Sequence, residues 1–216
     1  MGILEKSSVF IQAIKDDFAL FEVCGRLAEE GFRRIDIFTP DEYWSGKPLL
    51  DSSKAEIEEV VNRLRSTYPG LLVVWRITSV AEHRQPGLTR IEVETHYRNA
   101  CLDIMRHDGV EHIFIADGDE LWRRGLLGRL VAYIEKANPP AVNLGMVPTI
   151  GLPGWAVGDA QDGATVYLGP GVKLACCRSP ASEVRTFREI RGIIHFTATR
   201  KTMQEIIDKH RESGHY

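Results

Sequence analysis

Three acidic residues around one glycine follow an apolar run that is typical of a buried strand: Asp117, Gly118, Asp119 and Glu120 come directly after residues 112–116, "HIFIA". Residues i and i+2 of an extended segment point to the same side, so the carboxylates of Asp117 and Asp119 can converge across the turn that Gly118 allows. Two such carboxylates repel each other, and a divalent cation turns that repulsion into binding. Mg²⁺ and Mn²⁺ prefer oxygen ligands, commonly one or two carboxylates together with substrate phosphates. The cluster therefore predicts a site for Mn²⁺ or Mg²⁺ with a diphosphate.

A structural role for the same acids stays open, because Asp119 or Glu120 can instead cap the helix predicted at 123–137. An EF-hand calcium loop is a poor fit, since its sixth position needs Gly and Trp122 stands there. The sequence has no GxGxxG after its first strand, no GxxxxGK[ST] and no GxSxG. The sequence therefore lacks the main motifs that would indicate dinucleotide binding, P-loop chemistry or α/β-hydrolase chemistry.

The acidic cluster ends the fourth strand in a regular order of predicted elements. Short apolar runs predict strands, and the amphipathic runs between them predict helices. The strands are predicted at 8–14, 33–38, 71–77 and 111–116, and the helices at 16–31, 52–67, 89–109 and 123–137. This β-α-β order predicts an α/β fold in which a mostly parallel central sheet is flanked by helices on both faces. Ligands of such sheets bind outside the carboxyl ends of the strands, where the cluster lies.

Residues 139–172 are rich in Gly and Pro and predict a β-rich insert with loops. Further strands are predicted at 172–177 and 190–196, and a closing amphipathic helix at 199–213. A capping box of Ser53 and Glu56 is predicted to begin the helix at 52–67.

Composition narrows the class of protein. The length of 216 residues suits one domain, and the net charge of −3 argues against a dedicated non-specific nucleic-acid binder. The charge is uneven: from Lys173 onward, nine Lys and Arg against five Asp and Glu give +4, whereas the first 172 residues carry −7. The basic end can face an anionic ligand or form a solvated helix face. Four cysteines without zinc-site spacing, no long apolar run and no signal-peptide pattern lead us to expect a cytoplasmic protein without a membrane span.

Residues 97–122, "YRNACLDIMRHDGVEHIFIADGDELW", resemble the core of GT-A fold glycosyltransferases, particularly the glycosyltransferase family 2-like group. There an Arg-Asn-bearing helix precedes an apolar strand that ends in a DxD motif. Residues 10–38 resemble the strand, acidic turn, helix and second strand with which that group begins, and residues 191–210 are similar to its C-terminal part. The resemblance is good over about residues 8–137.

The resemblance implies a single GT-A domain over residues 1–216. Residues 1–137 would form the half that binds the nucleotide sugar. Residues 138–216 would form the smaller, β-rich acceptor side and the C-terminal helix. The implied activity is metal-dependent transfer of a sugar, hexosyl in type, from a nucleotide-diphosphate donor to an acceptor hydroxyl. A UDP-sugar is the expected donor, in the cytoplasm of a bacterium or of a phage-infected cell.

The resemblance also implies roles for the acids of the DxD motif. Asp117 and Asp119 would hold Mn²⁺ or Mg²⁺ on the donor diphosphate, with Asp119 the firmer metal ligand and Asp117 nearer the ribose or sugar. His195 would be a third metal ligand; alternatively it is a core or rim histidine.

Basic and acidic residues elsewhere are implied to bind the donor. Arg98 would reach its phosphates, or would pair with Glu94 one turn earlier. Asp17 would contact the base or ribose, or would cap the first helix. Arg200 would add positive charge near the phosphates, or would lie at a solvated helix start.

The catalytic base and the acceptor are less constrained. Asp159 is the expected base for the acceptor hydroxyl; alternatively it is an ordinary turn residue beside Gly158. The family's usual acidic motif is not recognisable there, so retention and inversion both stay open. The acceptor is a saccharide or a modified DNA base. The alternatives are a nucleotidyltransferase, which usually needs a Gly-rich loop that this chain lacks after its first strand, and a non-catalytic nucleotide-sugar-binding module.

Overall fold

The fold consists of four α-helices, two short 3-10 helices and eleven strands within the described part of the chain. A computed structural model describes residues 2–14, 19–44, 46–150, 161–187 and 192–198, without the side chains of 148–150, 161–163 and 195–198. The helices are α1 (Leu20–Glu29), α2 (Asp51–Thr67), α3 (Arg90–His107) and α4 (Leu126–Ala137). The strands are β1 (Ser7–Gln12), β2 (Arg34–Pro40), β3 (Leu72–Thr78), β4 (His112–Asp117), β5 (Glu120–Trp122), β6 (Ala141–Ile150), β7 (Gln161–Leu168), β8 (Leu174–Cys176), β9 (Ser179–Pro180), β10 (Arg185–Phe187) and β11 (Ile193–Ala198).

Nine of these strands form one sheet that runs through both halves of the chain. Its order is β3-β2-β1-β4-β7-β6-β11-β5, and β10 also pairs with β6. Strands β1 to β4 are mutually parallel, as the sequence predicts. Strand β7 runs antiparallel to both β4 and β6, and β5 runs antiparallel to β11. The protein is therefore a mixed α/β fold whose first half is parallel and whose second half brings in the antiparallel pairs. The remaining strands, β8 and β9, form a separate hairpin.

Helices cover both faces of the sheet, because the central strands are apolar on both sides. Val9 and Ile11 of β1 pack in the cluster that contains the buried residues of α1, α2 and α4, whereas Phe10 packs with those of α3. A continuous apolar run of this kind is typical of a parallel strand buried on both faces. At the carboxyl ends of these strands, Gln12 of β1 lies in register with Asp117 of β4. The core therefore brings the first polar residues after two buried strands side by side.

Two helix starts differ from the sequence prediction. Helix α2 begins at Asp51 with Leu50 as its N-cap and no side-chain cap, so the predicted box of Ser53 and Glu56 is wrong. A capping box does form at α3, where Thr89 accepts from the backbone N–H of Glu92 and the Glu92 carboxylate accepts from that of Thr89. The predicted closing helix at 199–213 lies outside the described residues.

Candidate functional site

The acidic cluster forms a tight turn at the carboxyl end of β4. Strand β4 ends at Asp117 and β5 begins at Glu120, so the helix predicted to follow the acids directly is preceded by a short strand. Ile113 and Ile115 of β4 pack with the residues of α3. The alternation of side chains along a strand places Asp117 on that same face. The turn therefore lies at the edge of the sheet where the sequence predicts a ligand site.

Glu120 closes this turn from inside the protein. Its side chain is fully buried, and its Oε2 accepts a hydrogen bond from the backbone N–H of Asp117 at 3.0 Å. Its other oxygen, Oε1, forms a short ion pair with Nη1 of Arg178. A carboxylate removed from water needs such partners, because an isolated buried charge is strongly unfavourable. One acid of the cluster is therefore a structural anchor of the turn.

The other proposed structural role, capping of the next helix, belongs to a different residue. The backbone N–H groups of Gly125 and Leu127 at the start of α4 donate to the carboxylate of Glu30, at 2.6 and 3.2 Å. Glu30 lies just after α1, and no acidic residue lies in the first turn of α4. The alternative in which Asp119 or Glu120 caps this helix is therefore wrong.

Asp117 lies between two arginines. Its Oδ1 is 3.4 Å from Nη2 of Arg98, and its Oδ2 is 3.1 Å from Nη1 of Arg178. The Nε of Arg98 also donates to Glu94 at 3.1 Å, so the pairing with Glu94 that the sequence left open is confirmed. Asp117 keeps 26% of its side chain exposed, whereas Arg98 and Arg178 keep only 6% and 12%. The arginines are thus held inside the protein, and Asp117 reaches its surface.

Both guanidiniums stay charged despite their burial. Burial lowers the pKa of Arg98, but the charges of Asp117 and Glu94 outweigh it and leave that pKa above its ordinary value. For Arg178, burial acts in the same direction, and the charges of Glu120 and Asp117 again raise its pKa overall. Two fixed positive charges therefore lie beside the acidic turn at every physiological pH.

Several buried polar atoms around Asp117 lack a hydrogen-bond partner within the described part of the chain. They are Nη1 of Arg98, Nε of Arg178 and Oε1 of Gln12. Buried polar groups are nearly always hydrogen-bonded, so each such atom calls for water, an ion or a ligand. Two positively charged donors and one acceptor suit a ligand that combines anionic oxygens with hydroxyl or amide groups.

The donor set of the turn fits a hard divalent cation that completes its shell elsewhere. Among the described residues, no group of three or more His, Cys, Asp or Glu side chains could hold a metal ion by itself. Asp117 and Asp119 would supply the carboxylate oxygens for such a cation, since Mg²⁺ commonly takes only one or two carboxylates plus substrate phosphates. The backbone of His195 in β11 pairs with Glu120 in β5, which places this residue beside the turn; its side chain lies outside the description.

The remaining sequence-predicted residues cannot be compared with the structure. Asp17, Asp159 and Arg200 lie outside the described residues and stay predictions. Sequence reasoning missed Arg178 and the anchoring role of Glu120. The sequence holds one indication of Arg178: the first 172 residues carry a net negative charge, and Arg178 belongs to the basic remainder of the chain.

Comparison with known proteins identifies the fold. The chain matches no protein-family model and no curated protein. It is similar to the structure of S. aureus TarS residues 1–349, a glycosyltransferase, with a TM-score of 0.51 and 12% identity over 88% of this chain and 60% of that one. The same fragment solved in complex with UDP-GlcNAc gives a TM-score of 0.53 and 12% identity, over 93% and 60%.

The chain has a glycosyltransferase fold. At 12% identity the likeness shows the fold alone, and the chain spans about 60% of the TarS fragment. Within the described residues, none of the helices is both long and apolar enough to cross a membrane.

Proposed function

We propose that the chain is a GT-A, family 2-like glycosyltransferase that uses a divalent metal ion and transfers a sugar from a nucleotide-diphosphate donor to an acceptor hydroxyl. One observation carries the proposal: an acidic turn beside two buried arginines lies at the carboxyl edge of a sheet whose fold matches that of TarS. TarS itself has been solved with UDP-GlcNAc, which supports a UDP-sugar as the donor here.

Arg98, Asp117 and Asp119 have different proposed roles in donor binding. Arg98 offers its unpartnered Nη1 to a donor phosphate while Nη2 and Nε stay on Asp117 and Glu94. Asp117 already shares its carboxylate with two guanidiniums, which agrees with Asp119 being the firmer metal ligand and with Asp117 lying nearer the ribose or sugar. A divalent cation, when bound, supplies positive charge to the departing diphosphate. Burial of the arginines strengthens their field at the same point, because a dry site screens charge less than water does.

Four further assignments concern residues whose side chains lie outside the described part of the chain. His195 is the proposed third metal ligand, Asp17 the base or ribose contact, Arg200 a second phosphate contact and Asp159 the base that deprotonates the acceptor hydroxyl. The proposed acceptor is a saccharide or a modified DNA base.

Donor cleavage tests the proposal directly. The purified chain, given UDP-sugars and Mn²⁺, should release UDP slowly to water and faster with an acceptor present. Asp119→Asn should lower this rate about 10²- to 10³-fold, because it removes a proposed ligand of the cation that stabilises the negative charge on the departing diphosphate. Asp51→Asn is the matched control, since the Asp51 side chain at the start of α2 is fully exposed, and it should leave the rate unchanged.

Calorimetry provides the outcome that would contradict the proposal. UDP should bind with Mn²⁺ present and more weakly after chelation. If UDP binds under neither condition, the chain is not a UDP-sugar transferase. A product on hydroxylated DNA but on no saccharide would assign the acceptor, and the converse result would exclude DNA.

A further inference from the structure

Arg178 connects the acidic turn to the rest of the protein. It lies in the turn of the β8–β9 hairpin, and its side chain reaches four acceptors. Nη1 donates to Asp117 at 3.1 Å and to Glu120, and Nη2 donates to the backbone oxygens of Ile115 at 3.4 Å and Thr165 at 3.2 Å. A single guanidinium therefore joins β4, β7 and both ends of the acidic turn.

The hairpin that carries Arg178 is itself fastened to α3. The side chain of Asn99 donates to the backbone oxygen of Leu174 and accepts from its N–H, both at 2.8 Å, in the manner of a neighbouring strand. The backbone N–H of Cys177 donates to Oγ1 of Thr95 at 2.8 Å. Cys177 has a φ of 37°, which non-glycine residues rarely adopt, so this turn is shaped by its surroundings. Arg178 is thus presented from a fixed base.

The contacts of Arg178 help to fix the orientation of the Asp117 carboxylate. Glu120 holds the backbone N–H of Asp117 through one oxygen and Arg178 through the other. Arg178 in turn holds Oδ2 of Asp117, while Arg98 holds Oδ1. Rotation of the Asp117 carboxylate would break at least one of these contacts, so its orientation is determined from both sides.

We propose that Arg178 is a positioning residue for the transferase reaction proposed above: it fixes the acidic turn, and with it the Asp117 carboxylate, in the geometry that binds the divalent cation and the donor. The proposal rests on that function. Arg178 stays in place when the cation arrives, because leaving would abandon the buried Glu120 and two backbone carbonyls as well as Asp117. The opposite role, a counter-ion that competes with the cation, requires Arg178 to move away.

The affinity for Mn²⁺, measured without nucleotide, distinguishes these roles. Removal of Arg178 should lower this affinity if Arg178 positions the turn, and should raise it if Arg178 competes with the cation. Electron paramagnetic resonance titration of Arg178→Gln should show binding about 10- to 100-fold weaker than in the unaltered chain, as is usual when an outer-shell partner is removed. Arg178→Lys should recover part of that loss. Arg106→Gln is the matched control: the Arg106 side chain is only 17% exposed, it donates to the backbone oxygen of Val172 just before the hairpin, and its ion pair is with Asp103 rather than with an acid of the turn. Tighter Mn²⁺ binding by Arg178→Gln would overturn the proposal.

A double variant guards against a trivial loss of folding. Arg178→Gln removes one positively charged partner of the buried Glu120, whereas Arg178→Gln combined with Glu120→Gln removes both charges. Positioning predicts that the double variant unfolds thermally near the unaltered chain yet still binds Mn²⁺ weakly and raises the KM for the donor. Full recovery of Mn²⁺ affinity in the double variant would mean that Arg178 only neutralises Glu120, and would overturn the proposal.

The two proposals fail in different ways. An unaltered chain that binds Mn²⁺ but no UDP would end the transferase proposal, while the comparison of Mn²⁺ affinities would still decide the role of Arg178. An unaltered chain that binds no Mn²⁺ would overturn the positioning role.

Discussion

Two carboxylates of the same sheet, those of Asp36 and Asp117, each lie between a pair of arginines, and they differ in how completely they are paired. Asp36 is near the beginning of β2, where Arg34, Arg76 and Asp108 surround it. Asp117 is at the carboxyl end of β4. We name the first group the Asp36 network and the second, which contains Glu94, Arg98, Asp117, Asp119, Glu120 and Arg178, the Asp117 cluster.

The Asp36 network is internally complete. One oxygen of Asp36 accepts from Arg34 at 3.0 Å and from Arg76 at 2.7 Å; the other accepts from Arg34 at 2.7 Å and from Ser8 at 2.6 Å. Asp108 pairs with both arginines, so two acids meet two bases. The pKa of Asp108 is lowered, chiefly by its hydrogen bond from Arg34. Within the described part of the chain, no buried side-chain nitrogen or oxygen of this network lacks a hydrogen-bond partner, so the network stabilises the fold.

The Asp117 cluster is built differently. Three acids, Glu94, Asp117 and Glu120, pair with its two arginines, and two N–H groups of those arginines lack a partner in the described part of the chain. The comparison teaches that a buried ion pair alone does not indicate function. What distinguishes the Asp117 cluster is unused hydrogen-bonding capacity next to a partly exposed carboxylate.

The largest effect should come from breaking the complete network. Asp36→Asn should lower the free energy of unfolding by about 3–5 kcal/mol, because the buried carboxylate accepts four hydrogen bonds and an amide nitrogen cannot accept those made to the oxygen it replaces. Asp117→Asn should cost only about 1 kcal/mol, since Arg98 and Arg178 keep Glu94 and Glu120. Urea unfolding measures both values. Equal losses would remove the distinction between the two groups.

The stability gained from a bound ligand should depend on the Asp117 cluster and not on the Asp36 network. UDP with Mn²⁺ at about 100 times its Kd should stabilise the unaltered chain by about 2.7 kcal/mol, because it binds only the folded state. Thermal unfolding should show this gain in Asp51→Asn and lose it in Asp119→Asn. A gain that persists in Asp119→Asn would place the ligand elsewhere.

A single hydroxyl tests how tightly the Asp36 network is bonded. Ser8→Ala should lower the free energy of unfolding by about 2 kcal/mol, since the hydroxyl donates to a buried carboxylate. The neighbouring Ser7→Ala should cost about 1 kcal/mol, because Ser7 donates to the neutral backbone oxygen of Ile3. Chemical denaturation of both variants makes the comparison, and a Ser8 effect no larger than that of Ser7 would contradict it.

The smallest effect should come from an acid that serves only as a cap. Glu30→Gln should cost about 0.5–1 kcal/mol, because it removes a negative charge from the positive end of α4 while leaving an acceptor in place. Glu29→Gln, at a half-exposed neighbour that pairs with Arg26 at 3.4 Å and with the exposed Arg124 at 3.9 Å, should cost less. Donor binding should be unchanged in both, and a loss in Glu30→Gln would show that α4 takes part in the site.

The parallel half of the fold was predictable because its signals are local. Strands β1 to β4 are apolar runs with amphipathic helices between them, and the structure places them within a few residues of the predicted bounds. Helix starts were harder, because the same cap pattern occurs at Ser53 and at Thr89. Only Thr89 stands outside its helix, whereas Ser53 is buried within α2.

The candidate site was predictable only in its carboxylates. The acids of the turn are adjacent in sequence, and Gly118 shows where the chain bends. Arg178 is 61 residues from Asp117, in a hairpin of three- and two-residue strands, and no local pattern points from one to the other. Strand β5 was missed for the same reason, since its pairing partner is β11. Contacts that depend on tertiary pairing leave no periodicity to detect.

The long separation between Arg178 and the acids has a consequence for synthesis on the ribosome. At roughly 5–20 residues per second, the 61 residues from Asp117 to Arg178 take about 3–12 s to emerge. During that interval β1 to β4 and their helices are available, but Arg178 has not yet been made and cannot pair with Glu120, so we expect Glu120 to stay in water. The nascent chain should therefore hold an open, hydrated loop at position 120 until the hairpin arrives, and burial of that loop should be a late step of folding.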